Sequence, residues 1–265
     1  MEEQQFKFSN DFVFCSVLQK NKDLCKELLE IILDVKIRDI SYVQSQDTKN
    51  TAIDAKGIRL DVYVENDNNT VFDLEMQTTT DSCLGKRSRY YHSLIDQTLI
   101  DKGDYYDKLK TSIVVFICLK DPFSAGLSKY TFVNTCMESS ATDLGDDAQT
   151  IFLNASGSME GISNDLKSFL CYVASSETTD SFTRKIEQKV KETTGSSKWR
   201  KEFMTLEMRY QDYLEKGKAQ GITEGEAKGR ASMLVELVSQ KLLGVKDAAK
   251  QLNISEEAFL KLMQQ

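Results

Sequence analysis

The clearest pattern in the chain runs from Ile58 to Gln77. Its even-numbered positions Ile58, Leu60, Val62, Val64, Phe72, Leu74 and Met76 are apolar, whereas the odd ones include Arg59, Asp61, Tyr63, Glu65, Asp73, Glu75 and Gln77. Period-two alternation on both sides of a polar turn predicts a half-buried β-hairpin with one apolar and one solvated face. Both apolar rows must meet one core, so even positions pair with even and odd with odd. A three-residue loop at Asp67, Asn68 and Asn69 satisfies that parity, because Asn tolerates the left-handed conformation such loops use. This register sets Asp61 directly opposite Glu75, with Cβ atoms about 5 Å apart. Gln77 follows two residues on, along the same face.

The rest of the chain is punctuated just as legibly. Phe8 to Lys20 and Asp23 to Leu33 read as amphipathic helices, the second with a broad apolar stripe that includes Leu24, Leu28, Leu29 and Ile32. Val35 to Tyr42 reads as a strand, and Gln44 to Lys56 as a polar loop. Cys83 to Lys102 is predicted helical, with Arg87, Tyr91 and Leu94 on one face and Tyr90, Leu94 and Gln97 on another. Thr111 to Leu119 is an almost continuous β-branched and apolar run, the pattern of a strand covered on both faces. Tyr130 to Met137 and Gln149 to Leu153 extend the sheet. The pattern then turns helical over Asn164 to Tyr172, Phe182 to Glu192 and Ser197 to Leu214. A tail follows with Gly217, Gly221, Gly225 and Gly229 at a step of four, which predicts a weakly stable helix. Val245 to Met263 reads as two short helices joined at Asn253, with Ser255 as an N-cap. Together these elements predict an α/β fold: a mixed sheet flanked by helices over residues 1–181, and a helical C-terminal region over 182–265.

Composition narrows the function. Six scattered cysteines without a C-x-x-C pair, and a single histidine, argue against a zinc centre and leave only His92 for any Ser-His or Cys-His arrangement. No apolar run reaches the roughly 18 residues of a membrane span, and the Met-Glu-Glu-Gln-Gln start lacks a signal peptide's basic and apolar regions. The expectation is a cytoplasmic address. Net charge is −7, distributed as −11 over residues 1–181, +4 over 182–230 and 0 over 231–265. Phosphate contacts need a local basic surface rather than a basic whole, so the region from Phe182 onward is the better candidate for contacting a nucleic-acid backbone.

Candidate chemistry centres on the hairpin. Two carboxylates opposed on a polar face repel, and the arrangement needs solvent or a cation. Mg²⁺ suits such a pair, since it takes hard oxygen ligands from one or two carboxylates and leaves other positions to water and phosphate. A merely solvated acidic face is the plain alternative. At Asp61 and at Glu75-Met76-Gln77 the chain resembles the PD-(D/E)XK nuclease superfamily. More narrowly it is similar to the recombination-promoting nuclease / putative transposase family, through Asp11-Phe12-Val13-Phe14, Arg59-Leu60-Asp61, the Glu-x-Gln, and Arg87, Tyr90-Tyr91 and Gln97.

The resemblance implies a restriction-endonuclease-like core and a DNA endonuclease that uses Mg²⁺ or Mn²⁺ in recombination or mobile-element processing. It casts Asp61, Glu75 and Gln77 as catalytic residues, with Asp61, Glu75 and the Met76 backbone carbonyl as metal ligands and Glu30 as a weaker one. Arg87, Tyr91 and Gln97 are cast as substrate-positioning residues. Gln77 stands where many relatives have Lys, and an amide can neither carry charge nor act as a base. Asp11 is read chiefly as a helix N-terminal charge. One site per chain and two strands to cut favour a homodimer through the C-terminal helices. The competing expectation is a catalytically inactive DNA-associated or protein-interaction factor that keeps the nuclease fold.

Overall fold

The computed structural model describes residues 6–42, 61–80, 82–139 and 141–264. Two helices open the chain, α1 (Asp11–Lys20) and α2 (Lys22–Leu33). The Asn10 side chain caps α1 by accepting from the Val13 amide at 3.1 Å, which leaves Asp11 in the first turn rather than at the cap. Strands β1 (Ile40–Tyr42), β2 (Val62–Asn66) and β3 (Thr70–Gln77) follow, then α3 (Leu84–Leu99), β4 (Thr111–Cys118), β5 (Lys129–Phe132) and β6 (Ala148–Asn154). Helices α4 (Asn164–Ser175), α5 (Ser181–Gly195), α6 (Ser197–Ser239), α7 (Val245–Leu252) and α8 (Glu256–Leu262) complete it.

The six strands form one mixed sheet in the order β1-β2-β3-β4-β6-β5. β3 runs antiparallel to β2 and parallel to β4, and the return between two parallel strands is made by α3. The hairpin register is the predicted one: Val62 pairs with Leu74, Tyr63 with Asp73 and Val64 with Phe72. Three residues close the loop, and Asn69 takes the left-handed conformation at φ 56°. Residues 58–60 and the loop expected over 44–56 lie outside the described residues.

The half-buried hairpin is corrected. β3 is covered on both faces, and on its odd-numbered row Asp73, Glu75 and Gln77 are 0%, 4% and 8% exposed. The reason is topological. A strand flanked by β2 and β4, whose crossover helix lies over the sheet, has no wet face left. Beneath α3, Tyr63, Val71, Val114, Phe116 and Phe152 cluster with Leu84, Tyr91, Leu94 and Ile95. The opposite row of Val62, Val64, Phe72, Leu74 and Met76 is also buried, and α1 meets β2 and β3. β1 is shorter than the predicted strand over 35–42, and β5 ends at Phe132 rather than Met137.

The described chain divides into two compact units, residues 1–200 and 201–265, with the boundary inside α6. In the first unit α5 packs on α1 and α4, burying Phe182, Ile186 and Val190. Residues 182–200 thus lie with the sheet. Trp199 is buried and donates its indole N–H to Ser16 Oγ at 2.9 Å. The second unit closes on Leu234, Ala248, Ala249 and Phe259. Its last two helices meet the expected signals, Asn253 in the left-handed region and Ser255 accepting from the Ala258 amide at 3.2 Å. The four spaced glycines continue α6, and a Cβ at any of them would find no described atom within 4 Å.

One glycine in the first unit is fixed by close approach. A Cβ at Gly157 would stand 2.5 Å from the Leu127 carbonyl oxygen, against backbone that β5 and β6 hold in place. Gly157→Ala is therefore expected to destabilise the protein by about 1–3 kcal/mol, the usual cost of overpacking, as read from the denaturant midpoint. An unchanged midpoint would show that this loop yields.

Candidate active site

The site is built where β2, β3, α1 and α3 converge. Asp61 precedes β2 by one residue, and continuing the register places it opposite Glu75. Hydrogen bonds tie the two together: the Asp61 amide donates to Glu75 Oε1 at 3.1 Å, and the Met76 amide donates to Asp61 Oδ2 at 3.3 Å. The other Glu75 oxygen, Oε2, accepts from the Tyr91 hydroxyl at 3.1 Å and from Arg87 Nη2 at 3.3 Å. Arg87 also donates to the Tyr91 hydroxyl and, through Nη1, to Gln77 Oε1, each at 2.9 Å. The Gln77 amide nitrogen donates to the Thr79 carbonyl at 2.8 Å.

Helix α3 supplies this arrangement because Arg87 and Tyr91, four residues apart, share a face. Tyr91 stacks on Phe116 at 5.8 Å between centroids, and Phe116 on Phe152 at 5.1 Å. The Arg87 guanidinium lies 5.4 Å from the Tyr91 ring centre and 5.5 Å from that of Phe116. An aromatic column standing on β4 and β6 thus fixes the height of the cation above β3.

The electrostatics follow from crowding acids out of water. Burial, aided by the neighbouring Asp61 charge, pushes Glu75 up to about 8 despite Arg87 and Tyr91. Burial likewise raises Asp61 to about 6, with Asp11 adding to the rise while the Met76 amide, the Cys15 thiol and Arg87 oppose it. Asp73, two residues before Glu75, is completely buried, and among the described residues neither of its oxygens has a hydrogen-bond partner. Burial and then the Glu75 and Asp61 charges hold it well above the carboxylate range, so it stands as a neutral acid.

Asp61, Glu75, Gln77, Arg87 and Tyr91 are thus brought together. Gln97 is not: it is exposed and donates to Ser93 Oγ at 3.3 Å, ten residues along α3 from Arg87, which is about 15 Å of helix. Glu30 is held elsewhere. Against the cost of its burial, its carboxylate accepts from Lys26 at 2.9 Å, from the Ile37 amide at 2.9 Å and from Lys36 at 3.3 Å, which pulls it down to about 2. His92 bridges Ser112 and Thr150 at 2.7 and 3.1 Å, and burial lowers its basicity, so it pins α3 to β4 and β6. Three contributors escaped the sequence reading. Asp73 was hidden by the assumption of a wet face. Cys15 hydrogen-bonds the Asp61 side chain, and Gln19 donates to the Asp61 carbonyl at 2.9 Å. The spacing of residues 11, 15 and 19 on one helix side was the available signal.

A family model described as a PD-(D/E)XK nuclease family transposase matches residues 8–215. The chain belongs to this PD-(D/E)XK family. Neither a curated protein nor a solved structure matches it. Membership carries a nuclease- or transposase-related role, with DNA as the family's substrate and divalent metal as its general requirement. Among the described residues no helix is long and apolar enough to cross a membrane.

The donor set fits a hard divalent cation, since Asp61 and Glu75 present opposed carboxyl oxygens whose mutual repulsion a cation would relieve. Among the described residues no cluster of three or more His, Cys, Asp or Glu side chains forms a metal centre, so a cation here would rest on the acid pair and main-chain oxygen.

Two predictions follow from the acids of this PD-(D/E)XK site. Their folded-state pKa values lie above the unfolded ones, so their contribution to stability is complete below about pH 4 and is lost as pH rises through about 6 and then about 8. The metal-free melting temperature should fall across that window, Glu75→Gln should flatten the fall, and a cation at 100 times its Kd should restore about 2.7 kcal/mol at pH 8. A melting temperature level from pH 5 to 8 would contradict this. Separately, Asp73→Val removes two buried oxygens that have no hydrogen-bond partner among the described residues and should stabilise the fold by about 1–3 kcal/mol in urea unfolding at pH 8. A destabilised variant would show that Asp73 has a partner.

Proposed function

We propose that the chain is a Mg²⁺- or Mn²⁺-dependent DNA endonuclease that hydrolyses phosphodiesters in recombination or mobile-element processing. One observation carries the reading: Asp61 and Glu75, from facing strands, meet in a buried setting where both acids are raised and each hydrogen-bonds the other's strand. Structural acids are ordinarily paired with cations or left in water. Two that face each other fit a site awaiting positive charge.

In this reading Asp61, Glu75 and the Met76 carbonyl hold the cation, which supplies Lewis acidity at the scissile phosphate. The remaining steps belong to the chain's own side chains. Tyr91 and Arg87 hold Glu75 Oε2 and so turn its other oxygen toward Asp61. Arg87, whose side chain is 30% exposed and whose Nη atoms already donate to Gln77, Glu75 and Tyr91, brings a fixed positive charge to the place a phosphate would take. Gln77 orients Arg87 through its carbonyl oxygen and does not move a proton. The local excess of positive charge after residue 182 supports contact with the DNA backbone, and a homodimer would present one site to each strand.

The occupied Gln77 amide, with no charged residue at the end of the motif, favours a second reading, a fold retained for binding without cleavage. Nicking of supercoiled plasmid separates the two. Wild type should cut with Mg²⁺ or Mn²⁺ and not with EDTA, and Asp61→Ala and Glu75→Ala should each lower the rate at least about 100-fold, in line with the loss of a main electrostatic group. A wild type inert with every divalent cation would turn the assignment to the binding reading. Cutting that survives both substitutions would place the chemistry elsewhere.

A further inference from the structure

Asp61 enters the site one residue before the start of β2. Both main-chain polar groups of Asp61 meet side chains, the amide Glu75 Oε1 and the carbonyl Gln19 Nε2 at 2.9 Å. Gln19 reaches across from α1, whose Asp11, Cys15 and Gln19 recur at every fourth residue along one side. α1 is a firm base for such a tie. Val13, Phe14, Val17 and Leu18 are buried, and Ser16 receives the Trp199 indole N–H.

We infer that Gln19 is a positioning residue of the acid pair: by anchoring the Asp61 carbonyl to α1 it sets how the Asp61 carboxylate faces Glu75, and so how tightly the pair takes a divalent cation. The inference rests on reading Asp61 and Glu75 as cation ligands. Gln19 is not a ligand in this scheme, since its contact is with the Asp61 main chain. The geometry gives the tie leverage. A rotation of the peptide after Asp61 swings the side chain on the adjacent Cα, and the Gln19 donor opposes that rotation from the α1 side. Its cost to overall folding is small, because Gln19 is exposed and water can replace its amide at the carbonyl. Cation affinity and global stability should therefore separate on substitution, which a purely structural contact would not allow.

The test titrates Mn²⁺ calorimetrically into the full chain, with metal-free thermal unfolding recorded beside it. Gln19→Leu keeps the length and removes the donor, and Gln19→Asn keeps the amide on a stem one methylene too short. Both are expected to weaken Mn²⁺ binding about tenfold with the metal-free melting temperature unchanged. Wild-type Mn²⁺ affinity in both variants would overturn the inference, as would a lowered melting temperature with affinity intact. Asp61→Ala distinguishes its failure from that of the underlying reading. If Asp61→Ala loses Mn²⁺ while Gln19→Leu binds as wild type, the positioning role alone falls. If Asp61→Ala itself binds Mn²⁺ as wild type, the acid pair is not the cation site and both fall together.

Discussion

Burying Glu75 beside Asp61 costs charge desolvation that a sheet face cannot offset by itself, and the parts of the first unit nearest the site are arranged around that cost. Two like charges about 4 Å apart at an effective dielectric of 20 repel by about 4 kcal/mol, which is several times the net worth of one hydrogen bond. The donors from Tyr91, Met76 and the Asp61 amide orient the oxygens without cancelling the repulsion, in keeping with the upward shifts of the Glu75 and Asp61 pKa values. Among the described residues a single guanidinium, shared with Gln77, donates to the pair, which leaves it short of positive charge. Protons fill the deficit near neutrality, and a divalent cation would fill it better.

The scaffold's task is to keep those groups from relaxing apart. β3 is laced to β2 on one side and β4 on the other, so Glu75 cannot slide without breaking two ladders. Above it, α3 is fixed by the Tyr91–Phe116–Phe152 column and by the two hydrogen bonds of His92 to β4 and β6. Below it, α1 holds Asp61 through Cys15 and Gln19. Three separate elements thus converge on two carboxyls, the preorganisation that an electrostatic site requires. Asp73 is a by-product of the same geometry. Once the odd row of β3 goes under α3, any acid in that row is trapped, and this one keeps its proton.

Parity made the hairpin legible before any coordinates. Alternation fixed which rows share a face, Asn69 marked the left-handed loop position, and together they gave the Asp61–Glu75 opposition. What alternation could not give was the burial of the polar row. That depended on a neighbouring parallel strand, which pairs Phe116 with Glu75, and on a crossover helix, contacts that lie beyond the hairpin's own pattern. Helix spacing was likewise correct for Arg87 and Tyr91, but it says nothing of distance along the axis, and Gln97 lies beyond the site's reach. Glu30 was ambiguous for a similar reason. Its carboxylate is claimed by Lys26 and Lys36, and nothing in the local pattern distinguishes an acid facing lysines from one facing a metal.

The departure at the end of the motif acquires a physical account from Arg87. Where the superfamily resemblance has a lysine in many members, this chain has an amide, which alone would leave the acids without a neighbouring cation. Gln77 instead accepts from Arg87, and Arg87 simultaneously reaches Glu75. The positive charge is thereby relocated from the strand to the helix, four residues below the tyrosine that shares its load. A guanidinium in this place cannot lose its proton at any working pH, so it cannot serve as a base as a lysine of lowered pKa can. It offers in exchange a planar fork, with Nη1 on the Gln77 amide and Nη2 on the carboxylate and the phenol. In the proposed reaction, proton removal therefore falls to the acid pair or to solvent, while Arg87 contributes charge and orientation.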